Sequence, residues 1–174
     1  MKETLLMYAR HTKQTNASAM ALVDGLSHQA RGDDRKSYYK SLAGIAIHIF
    51  DSTLYFHGLC RDSFPAAATA LAATASLAAP EGEVTEAQWK KLKADLALAD
   101  QAFADFVLTL GEADVSHPIK LDWYDGKPPA VPFHFIAHQL FEHDTHHRGQ
   151  ISQILDEMGI EHDFSGIGIG CLPQ

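Results

Sequence analysis

Three histidines fall within five positions of the segment Phe141-Glu142-His143-Asp144-Thr145-His146-His147-Arg148-Gly149-Gln150. His143 and His147 stand at i and i+4, so on a helix their rings project from one face on consecutive turns, near enough for both imidazoles to bind one ion. Taken by itself the pair is also what an exposed polar helix face carries. A third ligand from another element would make it a metal site.

His48 is the residue that could supply it. It lies in Ile45-Ala46-Ile47-His48-Ile49-Phe50-Asp51, with aliphatic residues on both sides, where a histidine alone would be a neutral core residue hydrogen-bonded to a neighbour. Together, His48, His143 and His147 form a set of three nitrogens that leaves at least one coordination position for water or substrate, the layout of a catalytic rather than a closed structural zinc site. His146 lies about 60 degrees off the His143 face, so it points to solvent or supports a ligand from outside the first ring. Asp51, three residues after His48, is a candidate general base or an acceptor that orients a ligand histidine. Arg148 could pair with a carboxylate or an anionic substrate through its planar fork, or form a salt bridge at a bundle end or dimer contact. Tyr55, about two turns from His48, and Tyr8 are candidates for lining the site, with core packing as the alternative for both.

The remaining histidines are read differently. His134 and His138 form a second i, i+4 pair turned roughly 140 degrees from His143, which suits surface or interface roles. His57 points to the face opposite His48. His11, His28, His117 and His162 lie in polar contexts and are expected at the surface.

These side chains need helices to position them. Apolar residues at helical spacing predict a first helix over 2–30, with Gly32-Asp33-Asp34 as a turn, and a second helix over 35–61 carrying Tyr38, Leu42, Ile45, Ile49, Leu54, Phe56 and Leu59. An alanine-rich stretch, 66–79, fits either helix or linker. Thr85 followed by Gln88 is a capping-box pattern that opens a third long helix with Trp89, Leu92, Leu96, Ala99, Phe103, Phe106, Val107 and Leu110 on its core face. Pro118, Pro128, Pro129 and Pro132 mark a different texture, read as a short hairpin or irregular loop with its turn at Asp125-Gly126. A last helix over 133–158 carries the histidine cluster, and the glycine-rich 160–174 is a docked tail. Four long helices with one extended insertion predict an all-α antiparallel four-helix bundle, one domain over 1–174. In such a bundle metal sites are built from side chains facing inward on different helices. Gly149 then reads as a place where another helix backbone passes close to the ligand pair.

Composition narrows the function. The net charge of −8 is a poor footprint for a polyanion, so no nucleic-acid partner is expected. The chain lacks an eighteen-residue apolar run and a signal-peptide pattern, so no membrane partner is expected and a soluble cytoplasmic protein is. Two cysteines, Cys60 and Cys171, against eleven histidines point to nitrogen and oxygen ligands and argue against a disulfide framework or zinc ribbon.

The segment His143-Asp144-Thr145-His146-His147-Arg148-Gly149-Gln150 matches an HxxxHRGQ signature, and Ser41 to Asp51 matches a second-helix histidine followed closely by an aspartate. In these residues the chain resembles the DinB/YfiT-like superfamily, the DNA-damage-inducible, metal-binding four-helix bundle proteins. The resemblance implies His48, His143 and His147 as the metal triad, zinc or nickel as the ion, a homodimer, and a place in stress response. It also implies activation of a low-molecular-weight thiol, as in bacillithiol transferases and mycothiol-dependent isomerases. From the residues themselves, a metal-dependent enzyme activating a thiol (transferase-like) or water (hydrolase-like) stands beside a non-catalytic metal-binding or stress-response homodimer. A redox sensor built on Cys60 or Cys171 is the third reading.

Overall fold

The computed structural model describes residues 1–121, 125, 127 and 129–172. Its long helices are α1 (Lys2–Asp24), α3 (Leu42–Ser63), α5 (Glu86–Thr109) and α6 (Phe133–Glu157), with two short helices, α2 (His28–Gly32) and α4 (Pro65–Ala70). A two-stranded antiparallel sheet, β1 (Pro118–Lys120) and β2 (Ala130–Pro132), pairs Ile119 with Val131 just before α6. The insertion is thus a hairpin, as expected, while the proposed turn at Asp125-Gly126 includes Gly126, which lies outside the described residues.

Two helix boundaries differ from expectation, each because a serine caps a new start. The first helix stops at Asp24, and Ser27 Oγ accepts the Ala30 N–H at 3.2 Å to open α2. The second long helix begins at Leu42 rather than near Arg35, because Ser41 Oγ accepts the Gly44 N–H at 3.1 Å. Residues 33–41 are instead a loop in which Lys36 and Lys40 take left-handed backbone angles (φ 60° and 66°), and Tyr38, expected on the core stripe, is 87% exposed. The expected capping box of α5 is present, with Thr85 Oγ1 accepting from Gln88 N and Gln88 Oε1 from Thr85 N. Pro65 at the first turn starts α4, where its missing N–H costs nothing.

The four long helices form the bundle, α1 lying against α5 and α6, and α3 against the same two. Asp24 meets Trp89, and Met1 meets Glu112, so α1 and α5 run antiparallel. His48 meets His147 while Phe56 meets His143, so α3 and α6 also run antiparallel. Pairing of His57 with Phe103 and Phe64 with Phe106 shows α3 and α5 pointing the same way. The segment holding α4 must therefore return the chain along the bundle, about 33 Å for a helix of α3's length.

The apolar core is in two parts. One end holds Leu5, Leu59, Phe64, Phe103, Phe106, Phe133 and Phe141, and the other holds Met20, Ile45, Phe50, Trp89, Leu92 and Ile151. Between them every long helix contributes buried polar side chains at one level: Thr12 and Asn16 from α1, Thr53 and His57 from α3, Asp100 from α5, and Asp144, His147 and Arg148 from α6. Among the described residues no helix is long and apolar enough to cross a membrane.

Candidate metal centre

His48 from α3 and His143 and His147 from α6 meet at the edge of the polar level. The Nε2 atoms of His48 and His143 are 3.0 Å apart, and those of His143 and His147 are 3.2 Å apart. Four residues separate the last two, as the i, i+4 spacing requires, and the antiparallel packing of α3 brings the first to them. Ligand atoms of all three lie within 4.8 Å of one another, so the set could hold a metal ion.

The surroundings suit that use. Gln150 Oε1 can only accept, so at 2.8 Å it fixes the proton of His147 on Nδ1 and leaves the Nε2 lone pair facing His143. His143 Nδ1 and Asp144 Oδ1 are both buried without a hydrogen-bond partner among the described residues, and they stand 3.6 Å apart. That is too long for a hydrogen bond, but it is the pairing by which a carboxylate orients a metal-binding imidazole through its far nitrogen. Burial lowers the pKa of His48 to about 4, helped by His147 and His143 and opposed by Asp51 and Asp144. Burial likewise lowers that of His147. Both rings therefore offer lone pairs rather than protons at neutral pH, as nitrogen ligands must.

Beneath the histidines the polar level is linked through Asn16. Asn16 Nδ2 donates to Asp144 Oδ2 at 2.9 Å and Asp100 Oδ2 at 3.1 Å, and Arg148 Nη1 donates to Asn16 Oδ1 at 2.8 Å. Burial and the adjacent Asp144 push the Asp100 carboxyl up to about 8, so Asp100 sits in this level without adding a buried charge at neutral pH.

The sequence-derived candidates separate accordingly. His48, His143 and His147 come together. His146 is exposed but joins the site indirectly, its Nε2 3.3 Å from the Gln150 Nε2 whose carbonyl holds His147. Arg148, expected at a bundle end, a dimer contact or a substrate, is 2% exposed. Its Nη1 donates to Asn16 Oδ1 and its Nη2 to Thr145 Oγ1 at 2.9 Å, and these protein partners commit it away from substrate. Asp51 is exposed and makes no hydrogen bond to a ligand histidine among the described residues. Tyr55 is 40% exposed and packs on Phe56, the ring that in turn meets His143. Tyr8 stacks on Phe141 in the core.

Two expectations are corrected, and the third reading, the sensor, is set aside. Among the described residues nothing lies within 4 Å of a Cβ built on Gly149, so no described helix backbone crosses there. His11 is 8% exposed rather than at the surface, since this face of α1 turns inward, and burial, followed by the charge of Arg148, lowers its pKa. Neither cysteine suits a sensor: burial pushes the Cys60 thiol up to about 12, and buried Cys171 donates to Gln14 Oε1 at 3.1 Å.

Two participants were not foreseen. Gln150 carried a signal, being i+3 from His147. Tyr39 did not, because a helix drawn from residue 35 turns it away from His48; its hydroxyl is 2.8 Å from His48 Nε2. The Ser41 cap with a glycine three residues on was the clue to the real helix start.

A family model described as the DinB family matches residues 1–163, and the chain belongs to that family. No curated protein matches it.

Proposed function

Proceeding from that membership, we propose that the chain binds one divalent transition metal ion, zinc or nickel, through Nε2 of His48, His143 and His147, and that the bound ion serves a thiol transfer. The convergence of three imidazole nitrogens, with His147 held in the required tautomer, carries this reading. Bound there, the ion would lower the pKa of a coordinated thiol or water and present it as a nucleophile. The protein's own share is orientation and exclusion. Gln150 Oε1 holds the ring direction of His147, Tyr39 stacks on His48, and Phe56 meets His143 edge-on.

Transfer by a low-molecular-weight thiol is favoured over hydrolysis by the carboxylates. A hydrolase asks for a base beside the metal water, whereas Asp144 is 0% exposed behind His143 and Asp51 faces solvent. A thiol ionised by coordination needs no such base.

Elemental analysis should find about one metal ion per chain, lost in His48→Ala and in His147→Ala. Metal retained by both variants would refute the assignment. In the cobalt-substituted protein an added thiol should change the visible spectrum; a spectrum indifferent to thiol would mean a closed, structural site.

A further inference from the structure

Tyr39 is placed at the three histidines by features with no other evident purpose. Its ring stacks on His48 with centroids 4.0 Å apart and planes 16° from parallel, and it meets His147 edge-on at 5.3 Å. Its carbonyl oxygen would lie 2.1 Å from any Cβ on residue 44, so only a glycine at this helical position lets the loop press onto the first turn of α3. Two lysines, Lys36 and Lys40, hold left-handed angles in the same loop, and the second is fixed by Lys40 N to Ser37 O at 3.0 Å and Arg35 N to Lys40 O at 2.6 Å. Non-glycine residues resist that conformation at about 1 kcal/mol each, a cost kept where the loop's product is used. That product is a phenol aimed at a ligand nitrogen.

Resting on the metal reading above, we propose that Tyr39 is a positioning residue whose hydroxyl donates a hydrogen bond to an exogenous small thiolate on the ion. A nitrogen whose lone pair is given to a cation no longer accepts a proton. The hydroxyl 2.8 Å from His48 Nε2 must then turn to another acceptor. Neighbouring ligands on one ion with bonds of about 2.0 to 2.3 Å stand roughly 3.3 to 3.6 Å apart, so the acceptor within reach is the atom beside His48 on that ion.

The test compares cobalt-loaded wild type with cobalt-loaded Tyr39→Phe, which keeps the ring and its stacking. 2-Mercaptoethanol is titrated into each while the thiolate-to-cobalt absorption is followed. The expected result is cobalt affinity unchanged within about threefold and 2-mercaptoethanol bound about tenfold more weakly by the variant, the scale of one hydrogen bond to a charged acceptor. Equal thiol affinity in both proteins would overturn the role of Tyr39 while leaving the metal reading intact. A cobalt affinity reduced more than tenfold in the variant would overturn it differently, making the phenol a ligand. Failure of the cobalt-loaded wild type to develop the thiolate band would take down the thiol reading of the site and this inference together, while cobalt that fails to bind would take down the metal reading itself.

Discussion

The imidazole of His57 lies flat on Phe103, with ring centroids 5.2 Å apart and planes 9° from parallel. Neither of its nitrogens has a partner among the described residues. Burial drives its pKa down to about 3, so the native ring stays neutral where the unfolded chain, with an ordinary value near 6.5, takes up a proton. Unfolding then binds protons, and native stability falls as pH drops from about 6.5 toward 3, by at most about 1.4 kcal/mol per unit. His57→Phe should keep the stacking and remove two unsatisfied polar atoms. It should raise stability by about 1 to 3 kcal/mol at pH 7, with the advantage growing at pH 5. Urea unfolding at both pH values would check this, and a pH-independent difference would refute the account. The three ligand histidines were legible because spacing and apolar context are local. Tyr39 and His11 were not, since what they face depends on where a helix starts and on what packs against it.

At the level of elements, α6 carries a glycine without a packing reason. Gly149 is exposed and has open space where a side chain would go. Gly149→Ala should therefore stabilise the protein by about 1 kcal/mol through helix propensity alone, read as a rise of several degrees in thermal midpoint. A loss of stability would mean that this face meets another molecule. The capping box of α5 could be read from two residues because both halves of the motif lie in sequence. The start of α3 could not, since Tyr38 and Leu42 continue the helical spacing upstream of the cap at Ser41 and periodicity alone has no stop signal there.

Across the whole molecule, the polar level between the two apolar clusters sets a second pH dependence. Asp100, pushed up to about 8, keeps a proton in the native state that the unfolded chain releases above about 4. Its contribution to stability is full below that value and declines as pH rises toward 8, the reverse of the buried histidines. Asp100→Asn should therefore gain on the wild type between pH 6 and pH 8 in thermal unfolding; an identical trend in both proteins would exclude Asp100 as the source. Each helix sets only one to three of these polar residues within an apolar stripe, so the level exists only once four helices are aligned. The bundle itself was legible from four long amphipathic segments, whereas its layering was not.

The route of the chain also fixes when the histidine cluster can form. His143 and His147 are 4 residues apart, whereas 95 residues separate His48 from His143, with the return segment and all of α5 between them. Closing a loop of that length costs about 4 kcal/mol in chain entropy, which two local imidazoles and an ion must meet before any helix packing assists. An ion that binds the cluster only after α3 has docked on α6 would act as a latch on a finished bundle, slowing its opening without hastening its formation.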